Sequence, residues 1–192
     1  MEMNNGIPAF YASTNAEWRN WLAENGSSEK AVCLILYHKK SKTPCIDYKE
    51  SIEQALCFGW IDSKANKRDE ESSYLQFTPR KAKSNWSKVN RERVERMLEQ
   101  GLMTPAGQAM IDLAKANGCW EGLADAQNTI IPWDLQKLFD KNTEAFENFQ
   151  KFSPSSKRMI LEWIAKAKKE ETREKRIVQT VELAAKNVRA NH

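Results

Sequence analysis

The chain has 192 residues, 41% of them hydrophobic and 29% charged, and a formal net charge of +4. That balance suits one soluble globular domain, or a compact domain with a helical extension, and excludes a disordered or fibrous chain. The longest apolar run, 31–37, is strand length, so no transmembrane segment is expected; the start, MEMNNGIPAF, carries no basic stretch leading into an apolar one, so no export signal is read and the expected compartment is the cytoplasm.

Taken in chain order, Ser13, Thr14 and Asn15 offer N-cap oxygens ahead of Trp18, Trp21 and Leu22, whose spacing predicts one face of an amphipathic helix ending at Gly26. The run AVCLILY at 31–37 is apolar without interruption, as in a central strand covered on both sides. Asp47 caps a second helix through Tyr48, Ile52, Ala55 and Leu56. Trp60–Lys64 and Ser73–Thr78 then read as two strands of an antiparallel hairpin joined by a charged loop. Ser84 or Ser87 caps a third helix ending at Gly101. Beyond it the pattern is helical only. Thr104-Pro105 and Ser153-Pro154 each place a cap before a proline at the first helical position. Phe146, Phe149 and Phe152 recur every third residue, Trp163 is the expected anchor of this half, and Ile177, Val181, Ala184 and Val188 form the expected buried stripe of the last helix. The fold class expected is α+β: a small N-terminal α+β domain with an antiparallel sheet over 1–101, then an all-helical region over 102–192.

The chemistry gathers between Ala55 and Lys88, where aromatic and charged groups alternate at strand ends. If the hairpin alternates regularly, Trp60, Asp62 and Lys64 share one face, with Tyr74 on the paired strand and Arg80, Lys83 and Trp86 in the following segment. Cationic groups beside aromatic rings suit an anionic or peptide-like ligand, and these seven residues are the candidate site. The same residues also suit a packed core with solubilising lysines. Nucleic acid is a competing partner, but Glu92, Glu95 and Glu99 interleave with Arg91, Arg93 and Arg96, the pattern of a salt-bridged exposed helix. No GxSxG, HExxH or glycine-rich phosphate loop occurs, and the cysteines show no CxxC spacing. No catalytic residue, metal ligand or cofactor is therefore assigned, and a small hydrolase or transferase built on His38 or Asp62 is the alternative to a binding protein. Glu171, Arg173, Glu174 and Arg176 read as a polar corner between the last two helices, with a buried Glu–Arg pair fixing those helices as the alternative.

The segments WRNWLAEN, ALCFGWIDSK, SYLQFTPRKAKSNWSKVN, GLMTPAGQAMIDLAK and LEWIAKAKKEETREKRI, in that order, resemble the YdeI/OmpD-associated family of bacteriocin-protection proteins. The resemblance implies an N-terminal half similar to YjbR/CyaY-like domains and a part in bacterial resistance to bacteriocins or antimicrobial peptides. It also implies a link to an outer-membrane porin, which for a chain read without an export signal is either indirect or does not apply to this member. It supplies no catalytic residues.

Overall fold

A computed structural model describes residues 2–191. Among them the strands are β1 (Met3–Asn4), β2 (Ile7–Tyr11), β3 (Val32–Tyr37), β4 (Trp60–Lys67) and β5 (Ser72–Pro79), joined in one sheet of order β1-β2-β3-β5-β4. The helices are α1 (Asn15–Asn25), α2 (Tyr48–Cys57), α3 (Lys88–Glu99), α4 (Pro105–Ala116), α5 (Ala124–Gln127), α6 (Trp133–Phe139), α7 (Thr143–Lys151), α8 (Pro154–Ala165) and α9 (Glu170–Ala185). The chain divides into two compact units. One is Met1–Ser84 with Val89–Asn117, and the other is Asn85–Lys88 with Gly118–His192. The boundary expected at Gly101 thus falls inside the first unit, between α3 and α4.

The expectation of an antiparallel sheet is corrected: the sheet is mixed. β2 runs parallel to β3, with Ala9, Phe10 and Tyr11 opposite Cys33, Leu34 and Ile35, while β3–β5 and β4–β5 are antiparallel. The physical reason lies in IPAFY, a strand placed just before the first helix. Strand, helix and strand then make a crossover, and a crossover returns the chain parallel to its start. β3 sits in the middle of the sheet, and Val32, Cys33, Leu34 and Ile35 are buried in succession.

In the first unit one sheet face is roofed by α1 and α2. The Trp18 ring lies 5.2 Å from Phe77 and 6.2 Å from Phe10, and Trp21 meets Trp60 edge-on at 6.0 Å. The indole N–H groups are satisfied, Trp18 Nε1 donating to the Ser51 carbonyl and Trp60 Nε1 to the Gly26 carbonyl, each at 3.0 Å. Thr14 starts α1 by accepting the Glu17 amide, while the Glu17 carboxylate reaches back to the Ser13 amide at 2.7 Å. Arg19 ties the helices together, donating to Gln54 Oε1 and the Leu102 carbonyl at 2.8 Å while lying over the Phe58 ring.

The second unit has its own core, with Leu135, Phe139, Phe149, Ile160, Ile164 and Ile177 all buried. Arg173 grips both oxygens of Asp134, at 2.7 and 3.0 Å, and so fixes α9 against α6. The joint between α8 and α9 is held by Arg176, which donates to the Trp163 carbonyl and stacks over its ring at 4.9 Å. Trp163 is partly buried rather than enclosed. Ile177, Val181 and Ala184 are buried as a stripe, but Val188 is 40% exposed because α9 stops at Ala185 and the helical period no longer carries it inward.

Gly107 marks the tightest approach in the first unit. A Cβ there would lie 2.2 Å from the Cys57 carbonyl oxygen, an oxygen that also accepts from Thr104 Oγ1 at 2.6 Å. Gly107→Ala is expected to destabilise the protein by about 1–3 kcal/mol through forced separation of α2 and α4. A urea midpoint equal to that of the wild type would show that these helices do not meet so closely.

Candidate functional site

The register between β4 and β5 decides where the expected site residues go. Asp62 pairs with Phe77 and Ala65 with Leu75, so a bulge sets Ser63 and Lys64 together against Gln76. An extra residue reverses the alternation beyond it. Trp60 and Asp62 therefore stay on the side of Phe77 and of α1 and α2, whereas Lys64 joins Tyr74 and Asn66 on the opposite face, which is free of those two helices. This corrects the expectation that Trp60, Asp62 and Lys64 line one side. Trp60 and Trp86 are buried to within 1%, and Arg80 is buried as well, its amide donating to the Gly59 carbonyl at 2.8 Å. Lys83 is exposed. Trp86 belongs to the second unit, where its ring lies 5.0 Å from Trp120. The structure thus brings Lys64 and Tyr74 onto one face and leaves Trp60 as core.

A cavity of about 470 Å³ opens at the end of this sheet, where β3 stops and α2 begins. Leu36, Ile46 and Leu75 give it apolar walls, Tyr37, Tyr48 and Tyr74 aromatic ones, and His38, Lys39, Ser41, Ser73 and Asp47 its polar margin. Its loop is locally built. Cys45 Sγ accepts the Tyr37 amide at 3.3 Å, Ser41 Oγ accepts the Thr43 amide at 3.2 Å, and Asp47 caps α2 by accepting the Lys49 amide at 2.7 Å. Burial pushes the Cys45 thiol up, so it stays protonated. His38 Nε2 lies 3.0 Å from Ser73 Oγ. Sequence reading missed most of this cavity, because the loop 38–47 and the start of β5 meet only through strand pairing. The one local signal was His38 at the end of an apolar strand.

On the sheet face opposite α1 and α2 the Glu2 carboxylate accepts from Arg68 Nε at 2.7 Å, Arg68 Nη2 at 3.0 Å and the Tyr74 hydroxyl. In the second unit Trp133 is 76% exposed and edges a cavity of about 500 Å³ with Leu138, Ile177 and Val178. Among the described residues no group of three or more His, Cys, Asp or Glu is placed to hold a metal ion, and no helix is long and apolar enough to cross a membrane.

Hydrogen bonds from Arg68 and then Tyr74 hold the Glu2 carboxyl below its usual range. A carboxyl lowered in the folded state contributes stability above its unfolded value and loses it as pH falls through the folded one. The Glu2 contact should therefore persist below about pH 4.3, the ordinary glutamate midpoint, and open under stronger acid. A carboxyl-carbon NMR titration of Glu2 checks this, and an ordinary midpoint would mean the contact is not made in solution.

A family model described as "Domain of unknown function (DUF8412)" matches residues 10–110, and one described as "Bacteriocin-protection, YdeI or OmpD-Associated" matches residues 128–187. No curated protein and no solved structure matches the chain.

Proposed function

We propose that this chain, which belongs to the family described as a domain of unknown function (DUF8412) and carries a segment of the YdeI or OmpD-associated family, is a bacteriocin-protection protein that works by binding an anionic or peptide-like partner. The observation that carries this reading is the cavity at the end of the sheet. Its volume of about 470 Å³ lies within the size range of small-ligand sites, and its walls combine apolar side chains with a few polar groups. Lys39 supplies positive charge at the rim, and the exposed Tyr48 offers a flat face and a hydroxyl donor. Of the residues singled out by sequence, Tyr74 borders this cavity and Lys64 shares its face of the sheet. A likeness of the first unit to YjbR/CyaY-like domains, residence in the cytoplasm and an indirect link to an outer-membrane porin belong to the same proposal.

Two other readings have an observation each. The contact between His38 and Ser73 is a base beside a hydroxyl, the start of a hydrolytic pair. Among the described residues, however, no carboxylate is bonded to the other imidazole nitrogen to orient it. Nucleic-acid binding would draw on the arginines of α3, but Arg96 already pairs with Glu53 at 2.5 Å and Arg93 with Asn90 at 2.8 Å.

Titration of the wild type and a Lys39→Ala/Tyr48→Ala variant with an acidic oligopeptide, a small dicarboxylic acid and single-stranded DNA tests the proposal. Binding of the peptide or the diacid is expected to weaken about tenfold in the variant, a loss of roughly 1.4 kcal/mol. Binding of DNA alone, with steep salt dependence, would favour the nucleic-acid reading, and equal affinity in both proteins would remove the cavity from the account.

A further inference from the structure

The contact made by Glu2 joins two parts of very unequal rigidity. Arg68 stands in the turn between β4 and β5 and is held from behind. Its Nη1 donates to Asp69 Oδ2 at 2.9 Å and to Ser72 Oγ at 3.1 Å, while Asp69 Oδ1 accepts from Ser72 Oγ at 2.8 Å and the Glu71 amide at 2.9 Å. That network is complete within five consecutive residues. It leaves the Nε–Nη2 edge of the guanidinium facing forward, with the Tyr74 hydroxyl beside it on the face opposite α1 and α2. Two parallel N–H donors flanked by a phenol form a fork whose geometry matches one carboxylate.

The acceptor is far less fixed. Glu2 lies 66 residues from Arg68 in sequence and precedes a strand of two residues, β1, which turns back on β2 through Asn5 and Gly6, both at positive φ. Besides its carboxylate, the arm is held to the sheet by its short antiparallel pairing with β2, Met3 opposite Pro8 and Asn4 opposite Ile7, by the Ala9 amide donating to the Glu2 carbonyl at 2.8 Å, and by Asn4 Nδ2 near Cys33 Sγ at 3.5 Å. A two-residue edge strand is the kind of element that opens at little cost. The Arg68 and Glu2 side chains are 23% and 40% exposed, so a ligand can reach the fork once the arm lifts.

We infer that Arg68 and Tyr74 form a carboxylate-binding site on the face of the sheet opposite α1 and α2, and that Glu2 occupies it as an internal stand-in for the acidic side chain or terminal carboxylate of a peptide ligand. The arm is itself a short peptide presenting a carboxylate to the fork, which is the chemistry the ligand would repeat. Tyr74 also borders the cavity at the end of the sheet but Arg68 does not, so it is the Arg68 variants that separate this site from that one. A tethered acceptor competes at an effective concentration on the order of millimolar. The free protein therefore masks the fork from weak ligands, and removing the Glu2 charge exposes it.

The test compares wild type, Glu2→Gln, and Glu2→Gln combined with Arg68→Lys or Arg68→Ala, all isotope-labelled. The probes are the peptide acetyl-Glu-Met-Asn-amide and, separately, succinate, followed at the Arg68 Nε–H and Tyr74 ring resonances. Glu2→Gln should bind the peptide at least about tenfold more tightly than wild type. Arg68→Lys, which keeps the charge and loses the fork, should weaken that binding, and Arg68→Ala should abolish it. Peptide bound more tightly than succinate assigns the site to peptides, while equal affinities assign it to small acids; both keep the carboxylate site. Equal affinity in wild type and Glu2→Gln, or binding that survives Arg68→Ala, overturns it. So does a lowered Tm in Glu2→Gln without probe binding, since the pair would then be a structural clasp alone. Thermal melts of each variant separate unfolding from loss of the fork.

Discussion

The first unit depends on one run of aromatic contact beneath its sheet. Phe10 on β2, Phe77 on β5 and Trp60 on β4 all project to the same side, and Trp18 and Trp21 of α1 lie across them, their own rings 5.3 Å apart. Large rings remove much surface from water and gain further from tilted and edge-on packing. Here they also set direction, because the two indole N–H groups must each find a carbonyl. Those carbonyls, at Gly26 and Ser51, sit at the end of α1 and in α2. A ring that carries both apolar area and an obligatory hydrogen bond leaves few ways to seat the helices. With one face packed by α1 and α2, the opposite face of the sheet carries polar contacts instead, among them those of Glu2 with Arg68 and Tyr74.

The second unit solves a different problem, since helices alone need their angles fixed. Its core is aliphatic and phenylalanine-rich, shapes that tolerate some sliding. Arg173 on Asp134 and Arg176 on Trp163 add the directional contacts. Both arginines lie within one turn of each other near the start of α9, so a single helix end positions α6 and α8. The Asp134 carboxyl feels burial first, which raises it, yet the Arg173 bonds and charge outweigh that and hold it below its usual range.

How far the sequence could be read follows from what is local. Periodicity at Trp18 and Leu22 and the cap residues Thr14, Asp47, Thr104 and Ser153 are short-range signals, and each is seen as a cap or buried helical face. The parallel pair was hidden because β2 is five residues long, contains a proline and precedes a helix, so only its partner 24 residues later reveals it. The site residues were misassigned at Lys64 by the bulge, which leaves no mark in a polar stretch such as Ile61–Asn66. Glu2 and Arg68 lie beyond any window of local pattern. The corner near α9 was legible as a cluster of charge, but its partner Asp134 was not, since burial and not spacing selects it.

That same bulge also alters the outer edge of the sheet. The order β1-β2-β3-β5-β4 leaves β4 as an outer strand, a long one of eight residues whose unpaired backbone groups could template another chain. Ser63 and Lys64 break its hydrogen-bonding rhythm midway, and Lys64 puts an exposed charge at that break, while the Lys67 charge is met by Glu70. The irregularity that spoils the simple reading of the hairpin therefore also makes β4 a poorer template for edge-to-edge pairing.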